Sequence, residues 1–97
     1  MTVYIIAEMT IHNREEYDKY DAKFMDVFKQ FDGRMLSVDE EPIQLEGKFE
    51  ATRSILIEFP SSDSARAWMM SPEYQEIAKH RLAGSKGRSI MVKQFGD

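Results

Sequence analysis

Val3-Tyr4-Ile5-Ile6-Ala7-Glu8-Met9 is rich in β-branched and aromatic side chains and is apolar at odd and even positions alike as far as Glu8. Such side chains suit a pleated surface, and a strand that is apolar on both parities keeps both faces out of water. The stretch therefore reads as a strand buried on both sides. Ile55-Leu56-Ile57, inside a run from Phe49 to Phe59 that ends at Pro60, reads the same way.

The chain around these two strands alternates in period. Asn13 is placed to cap a helix, with Glu16 three residues later as in a capping box. Tyr17, Tyr20, Phe24, Val27, Phe28 and Phe31 then recur at spacings of three and four, one stripe of a helix that Asp32-Gly33 closes, with Gly33 expected in the left-handed conformation. Arg34 to Val38 forms a short second strand, followed by the acidic turn Asp39-Glu40-Glu41-Pro42 and by Glu46-Gly47. Ser61-Ser62-Asp63-Ser64 offers caps for a second helix carrying Ala65, Trp68 and Met69. Ser71-Pro72-Glu73 restarts that helix, and Tyr74, Ile77, Ala78 and Leu82 extend its stripe to Ala83-Gly84. Ser89 to Phe95 is the last strand.

The order is β-α-β-β-α-β, which predicts a ferredoxin-like α+β fold: a four-stranded antiparallel sheet with both helices on one face and the first and third strands central. The face without helices is then apolar too and needs cover. A second copy's sheet supplies it most simply, so a homodimer through sheet-on-sheet contact is expected.

At 97 residues there is room for one domain (1–97) and one core, and with no Cys there is no disulfide, thiol chemistry or Cys-based metal site. The formal charge is 13 − 17 = −4 with the two signs interspersed, which argues against nucleic-acid binding through phosphate neutralisation. The apolar run Val3 to Ala7 is far too short for a signal h-region or membrane span, so no membrane association is expected and the default location is the cytoplasm. Seven methionines, including Met69-Met70, read as gap fillers of the core.

Three charged residues interrupt the apolar strands: Glu8, Arg53 and Glu58. A buried charge without a partner is costly. Antiparallel pairing brings the end of the first strand near the start of the third, so Glu8 and Arg53 are expected to be neighbours. They form either a structural salt bridge or a fork in which Arg53, held by Glu8, offers its donors to a ligand carboxylate or phosphate. Glu58, or Glu8, is the candidate proton acceptor if there is turnover. Trp68 and Tyr74 either complete the core or line a cavity between helix and sheet. Glu76 and His80 share a helix face without a third metal ligand in view, and His12 lies in a turn, so no metal site is expected. Arg81 sits where a helix end favours positive charge. There is no phosphate-cradling glycine loop, nucleophile elbow or His-Glu metal motif, and no cofactor is expected.

Tyr17-Asp18-Lys19-Tyr20, Gly33 with Leu36, Glu46-Gly47, Arg53, Glu58-Phe59-Pro60-Ser61, Ala65-Arg66-Ala67-Trp68, Ser71-Pro72-Glu73-Tyr74 and Arg81 together resemble the domain of unknown function family 1330. The resemblance covers nearly the whole chain and is most specific from Glu58 through Tyr74. It implies membership of the dimeric α/β-barrel superfamily, which spans cofactor-free monooxygenases, isomerases, haem-degrading enzymes and stress-response domains, so the fold alone assigns no reaction. Where relatives carry His-Gly-Gly after the first helix, this chain has Phe31-Asp32-Gly33, and no histidine role carries over. The expectation is a pocket between sheet and second helix for a small, partly apolar organic anion, with Arg53 on the anion and Trp68, Tyr74 and Arg81 around it. A cofactor-independent monooxygenase or isomerase, and a ligand-free interaction module, are the alternatives.

Overall fold

A computed structural model of the chain describes residues 1–96. Its elements run β1 (Val3–Ile11), α1 (Arg14–Phe28), β2 (Arg34–Asp39), β3 (Arg53–Phe59), α2 (Ser62–Met69), α3 (Pro72–Gly84) and β4 (Ser85–Lys93). The sheet order is β2-β3-β1-β4, every pairing antiparallel, with β1 and β3 central as the ferredoxin-like topology requires. Strand β3 begins four residues later than its apolar pattern suggests. Strand β4 begins four residues earlier, because Ser85 to Arg88 pair with β1 despite their polarity.

Side-chain parity sorts the strands into two faces. Val3, Ile5 and Met9 of β1 and Ile55, Ile57 and Phe59 of β3 point at the helices and are buried with Tyr17, Tyr20, Phe24 and Phe28 of α1, Trp68 of α2 and Tyr74 and Ile77 of α3. Aromatic rings dominate this core. Trp68 stacks on Phe59 at 5.6 Å between centroids and meets Phe28 edge-on at 5.5 Å. Truncating a ring of this kind to Ala typically costs about 3–5 kcal/mol. On the other face Tyr4, Ile6, Leu56, Ile90 and Val92 share the opposite parity and carry no helix; Ile6 and Ile90 are exposed.

The caps follow the sequence with one change. Asn13, Ser61 and Ser71 each accept a backbone N–H three residues on, Asn13 Oδ1 from Glu16 at 3.1 Å. The reciprocal half of the expected capping box is missing: the Asn13 N–H already donates to the Gly84 carbonyl at 3.0 Å, and the Glu16 carboxylate is free to bind Lys19 and His80 instead. Helix α1 ends at Phe28 and Gly33 does not adopt positive φ, contrary to the expected glycine stop. Gly33 is needed for space, since a Cβ there would sit 2.6 Å from the Phe28 ring and 2.7 Å from the Phe59 ring. Edge strand β2 carries a bulge between Met35 and Ser37. Among the described residues no helix is long and apolar enough to cross a membrane.

Candidate functional site

Three small side chains on the helix-facing side of the sheet leave a gap in the core. Ala7 of β1 pairs with Ser89 of β4, and Met9 with Gly87. At Gly87 the strands approach so closely that a Cβ would lie 2.7 Å from the Glu8 carbonyl oxygen. Over this floor a cavity of about 300 Å³ opens, walled by Tyr20 and Phe24 of α1, Trp68 and Met69 of α2, and Tyr74 and Arg81 of α3.

The polar atoms of the wall are few and mostly donors. Tyr20 and Tyr74 share one hydrogen bond between their hydroxyls at 3.0 Å, which uses one proton and leaves the other to give. Burial, and after it the neighbouring Tyr74, pushes the Tyr20 phenol far above its ordinary value of 10, so it stays protonated. Trp68 packs on Tyr74 with centroids 4.4 Å apart, and its Nε1–H is buried with no hydrogen-bond partner among the described residues. Arg81 Nε is in the same condition. An unpaired buried donor typically costs about 1–3 kcal/mol, so two on residues that line one cavity call for an explanation.

Arg53 is buried, at 6 % exposure, but does not line this cavity. Its Nη2 donates to Asp21 Oδ1 at 3.0 Å, its Nη1 donates to Glu40 Oε1, and its guanidinium lies 5.5 Å from the Tyr17 ring centroid. Glu40 also accepts from Arg14 at 3.2 Å, and these hydrogen bonds, Arg14's first, hold its carboxyl below the ordinary value against the opposing effect of burial. Arg53 is thus the centre of a clasp joining β3, α1 and the start of the β2–β3 connection.

The expected Glu8–Arg53 pair does not form. Met9, not Glu8, stands opposite Arg53, so Arg53 faces the helices while Glu8, opposite Ser54 and Arg88, faces the open side. Glu8 Oε1 accepts from Arg88 Nε at 3.2 Å and from Nη2 at 3.1 Å, and the Arg88 guanidinium lies 4.5 Å from the Phe49 ring centroid. Glu58 shares the open face, ion-paired to Arg34 at 2.9 Å, and is separated from the cavity by the thickness of the sheet. Glu8 and Arg88 border both the cavity and a shallower depression of about 610 Å³ on the open face, whose other wall is the β2–β3 connection with Ile43 and Leu45. These two apolar residues are 85 % and 89 % exposed.

His80 does not pair with Glu76 along the helix. Its Nδ1 lies 2.6 Å from Glu16 Oε1, linking α3 to α1, and Glu76 binds Lys79 at 2.6 Å. The His12 backbone N–H donates to the Gly84 carbonyl at 3.0 Å. Among the described residues no three His, Asp or Glu side chains stand together as a metal site. Of the six residues singled out from sequence, the structure brings Trp68, Tyr74 and Arg81 together, sets Glu8 at the border, and puts Arg53 and Glu58 elsewhere. Sequence reading missed Tyr20, whose hydroxyl on an apolar stripe was the available signal, and the floor residues Ala7, Gly87 and Ser89.

A family model described as Domain of unknown function (DUF1330) matches residues 2–95. No curated protein matches the chain. Among solved structures, a protein of unknown function from Rhodopseudomonas palustris (RPA0582) superimposes with a TM-score of 0.84 at 19 % identity, over 99 % of this chain and 84 % of that one. SnoaB, a cofactor-independent oxygenase from Streptomyces nogalater, gives 0.68 at 14 % identity over 99 % and 95 %. A dimeric ferredoxin-like protein of unknown function from Thermobifida fusca gives 0.69 at 9 % identity over 97 % and 92 %. At these identities the likeness is one of fold.

Proposed function

The chain belongs to the DUF1330 family, and from that premise we propose that it is a homodimeric protein binding a small, partly apolar organic anion in the cavity between the sheet and α2–α3. One observation carries the reading: of the three buried donors with no partner among the described residues, Arg53 Nε, Trp68 Nε1 and Arg81 Nε, the last two belong to residues lining one largely apolar cavity. Ligand sites have this composition, apolar walls with a few polar atoms that fix orientation. Arg81 takes the anion role first expected of Arg53, whose Nη atoms already serve Asp21 and Glu40. The protein side supplies binding and desolvation. Glu58, on the far face, is not positioned to act as a base.

The dimer reading rests on the open face, where Ile6, Leu36 and Ile90 are exposed together, and on the exposed Ile43 and Leu45 of the β2–β3 connection. A contiguous apolar face of this kind marks an interface, and a second copy's sheet is its simplest cover. The fold neighbour from Thermobifida fusca is described as dimeric, which supports the same assignment. The ligand reading is tested by calorimetric titration with a panel of small carboxylic acids. Binding is expected in the native protein and in Arg53→Met, and its loss in Arg81→Gln. Equal affinity of Arg81→Gln and native protein would refute the assignment.

A further inference from the structure

We infer that the ligand is a single-ring aryl acid bearing a second hydrogen-bond acceptor, an inference that rests on the cavity being the ligand site. Size sets the first limit. A cavity of about 300 Å³ lies at the small end of ligand pockets, which run from about 300 to 1,000 Å³, and suits one substituted ring rather than a fused polycycle.

The walls set the second. Tyr20, Phe24, Trp68 and Tyr74 line the cavity with rings, and Met69 adds a thioether side chain, a composition that favours an aromatic guest over a saturated one of equal area.

The unpaired donors set the third. Arg81 is cationic, and among the described residues no carboxylate is ion-paired to it, Glu8 being neutralised by Arg88 and Glu58 by Arg34. An anion is therefore accepted and an amine rejected. Trp68 is a neutral donor with no acceptor role, 4 % exposed, and its N–H needs an acceptor of its own, a carbonyl or ether oxygen. Two donors of different character thus select a ligand with two different acceptors.

The test is isothermal titration of the native protein with benzoate, 3- and 4-acetylbenzoate, the matching ethylbenzoates, which replace C=O by CH₂, benzamide, cyclohexanecarboxylate, hexanoate and succinate. At least one acetylbenzoate is expected to bind about tenfold more tightly than its ethyl counterpart, the gain typical of pairing a buried donor. Benzamide is expected to bind about tenfold more weakly than benzoate, and cyclohexanecarboxylate several-fold more weakly. Trp68→Phe should erase the acetyl preference, bringing the ratio of acetylbenzoate to ethylbenzoate affinity from about ten to about one. Because Trp68 is the only tryptophan, its single indole N–H resonance gives an independent readout in unmutated protein, moving downfield with acetylbenzoate and not with ethylbenzoate. Equal affinity for acetyl and ethyl ligands, or an unmoved indole proton, overturns the second acceptor, and equal affinity for benzoate and cyclohexanecarboxylate overturns the ring. If only aliphatic acids such as hexanoate or succinate bind, the aryl class is wrong and the cavity reading stands. If no acid of either kind binds, the cavity reading itself fails.

Discussion

Replacing Arg53 by Met separates the structural role of this buried cation from a ligand role. The change removes two charge-assisted hydrogen bonds, to Asp21 and Glu40, each worth about 1.5–3 kcal/mol when fully formed. Two effects reduce that loss. The acceptor side chains are 42 % and 45 % exposed, so both carboxylates regain water, and Glu40 keeps Arg14. The folded state also no longer buries a guanidinium, a cost of several kcal/mol that such pairs only partly recover. Met retains most of the apolar stem, so the net destabilisation is expected to be about 1–2 kcal/mol. Arg53→Ala additionally loses the packing of about three methylenes, at about 0.8 kcal/mol each, for a total of about 3–4 kcal/mol. Urea unfolding at fixed protein concentration measures both, the Met variant's midpoint falling by roughly 0.5–1 M. Ligand affinity in Arg53→Met should stay within about twofold of native. A tenfold loss of affinity with the fold intact would return Arg53 to the binding site and refute the clasp.

Other outcomes can be stated more briefly. Ala7→Leu fills the cavity floor and is expected to abolish ligand binding at a stability within about 1.5 kcal/mol of native, read by calorimetry and urea unfolding. Tyr74→Phe strands the Tyr20 hydroxyl and should cost about 1–2 kcal/mol, whereas the double change with Tyr20→Phe should cost less than the sum of the two. Ile90→Asp on the open face is expected to convert a sedimenting dimer to monomer; an unchanged dimer would exclude sheet-on-sheet assembly. Burial pushes the Tyr17 phenol up to about 12 from 10, so its contribution to stability is complete below pH 10 and is lost as pH rises through about 12. Phenolate absorbance and unfolding followed between pH 9 and 12.5 check this, with Tyr17→Phe flattening the decline. Glu40 has the opposite sign: its lowered value gives stability that is present above pH 4.5 and is lost on acidification below it, a slope that Glu40→Gln should reduce.

The fold was legible because its signals are local. Alternation between periods of two and 3.6, the Asn13, Ser61 and Ser71 caps, and Pro72 at a helix start each depend on neighbours within one turn. The site was legible only in part, because it depends on register. Arg53 shares parity with Ile55, Ile57 and Phe59, and Glu8 with Tyr4 and Ile6, but with both strands apolar on both parities nothing in the sequence says which parity faces the helices or that Met9 is the residue opposite Arg53. A slip of one residue in that pairing reverses the face of every side chain. Trp68, Tyr74 and Arg81 could be singled out together because they lie on two successive helices, α2 and α3. The cavity they enclose was not, because its floor is defined by absent bulk at Ala7, Gly87 and Ser89, and small residues leave no periodic trace.

The bulge between Met35 and Ser37 lies on an outer strand of the sheet. A flat outer strand offers an unbroken row of free N–H and C=O groups to any passing chain, and repeated pairing of that kind grows fibres. The extra residue breaks the row and increases the local twist. The opposite rim, β4, carries Lys86 and Lys93, whose like charges repel a second copy of themselves. Lateral growth is discouraged at both rims, and the proposed dimer, closing two copies over the broad apolar face, would leave no end to extend.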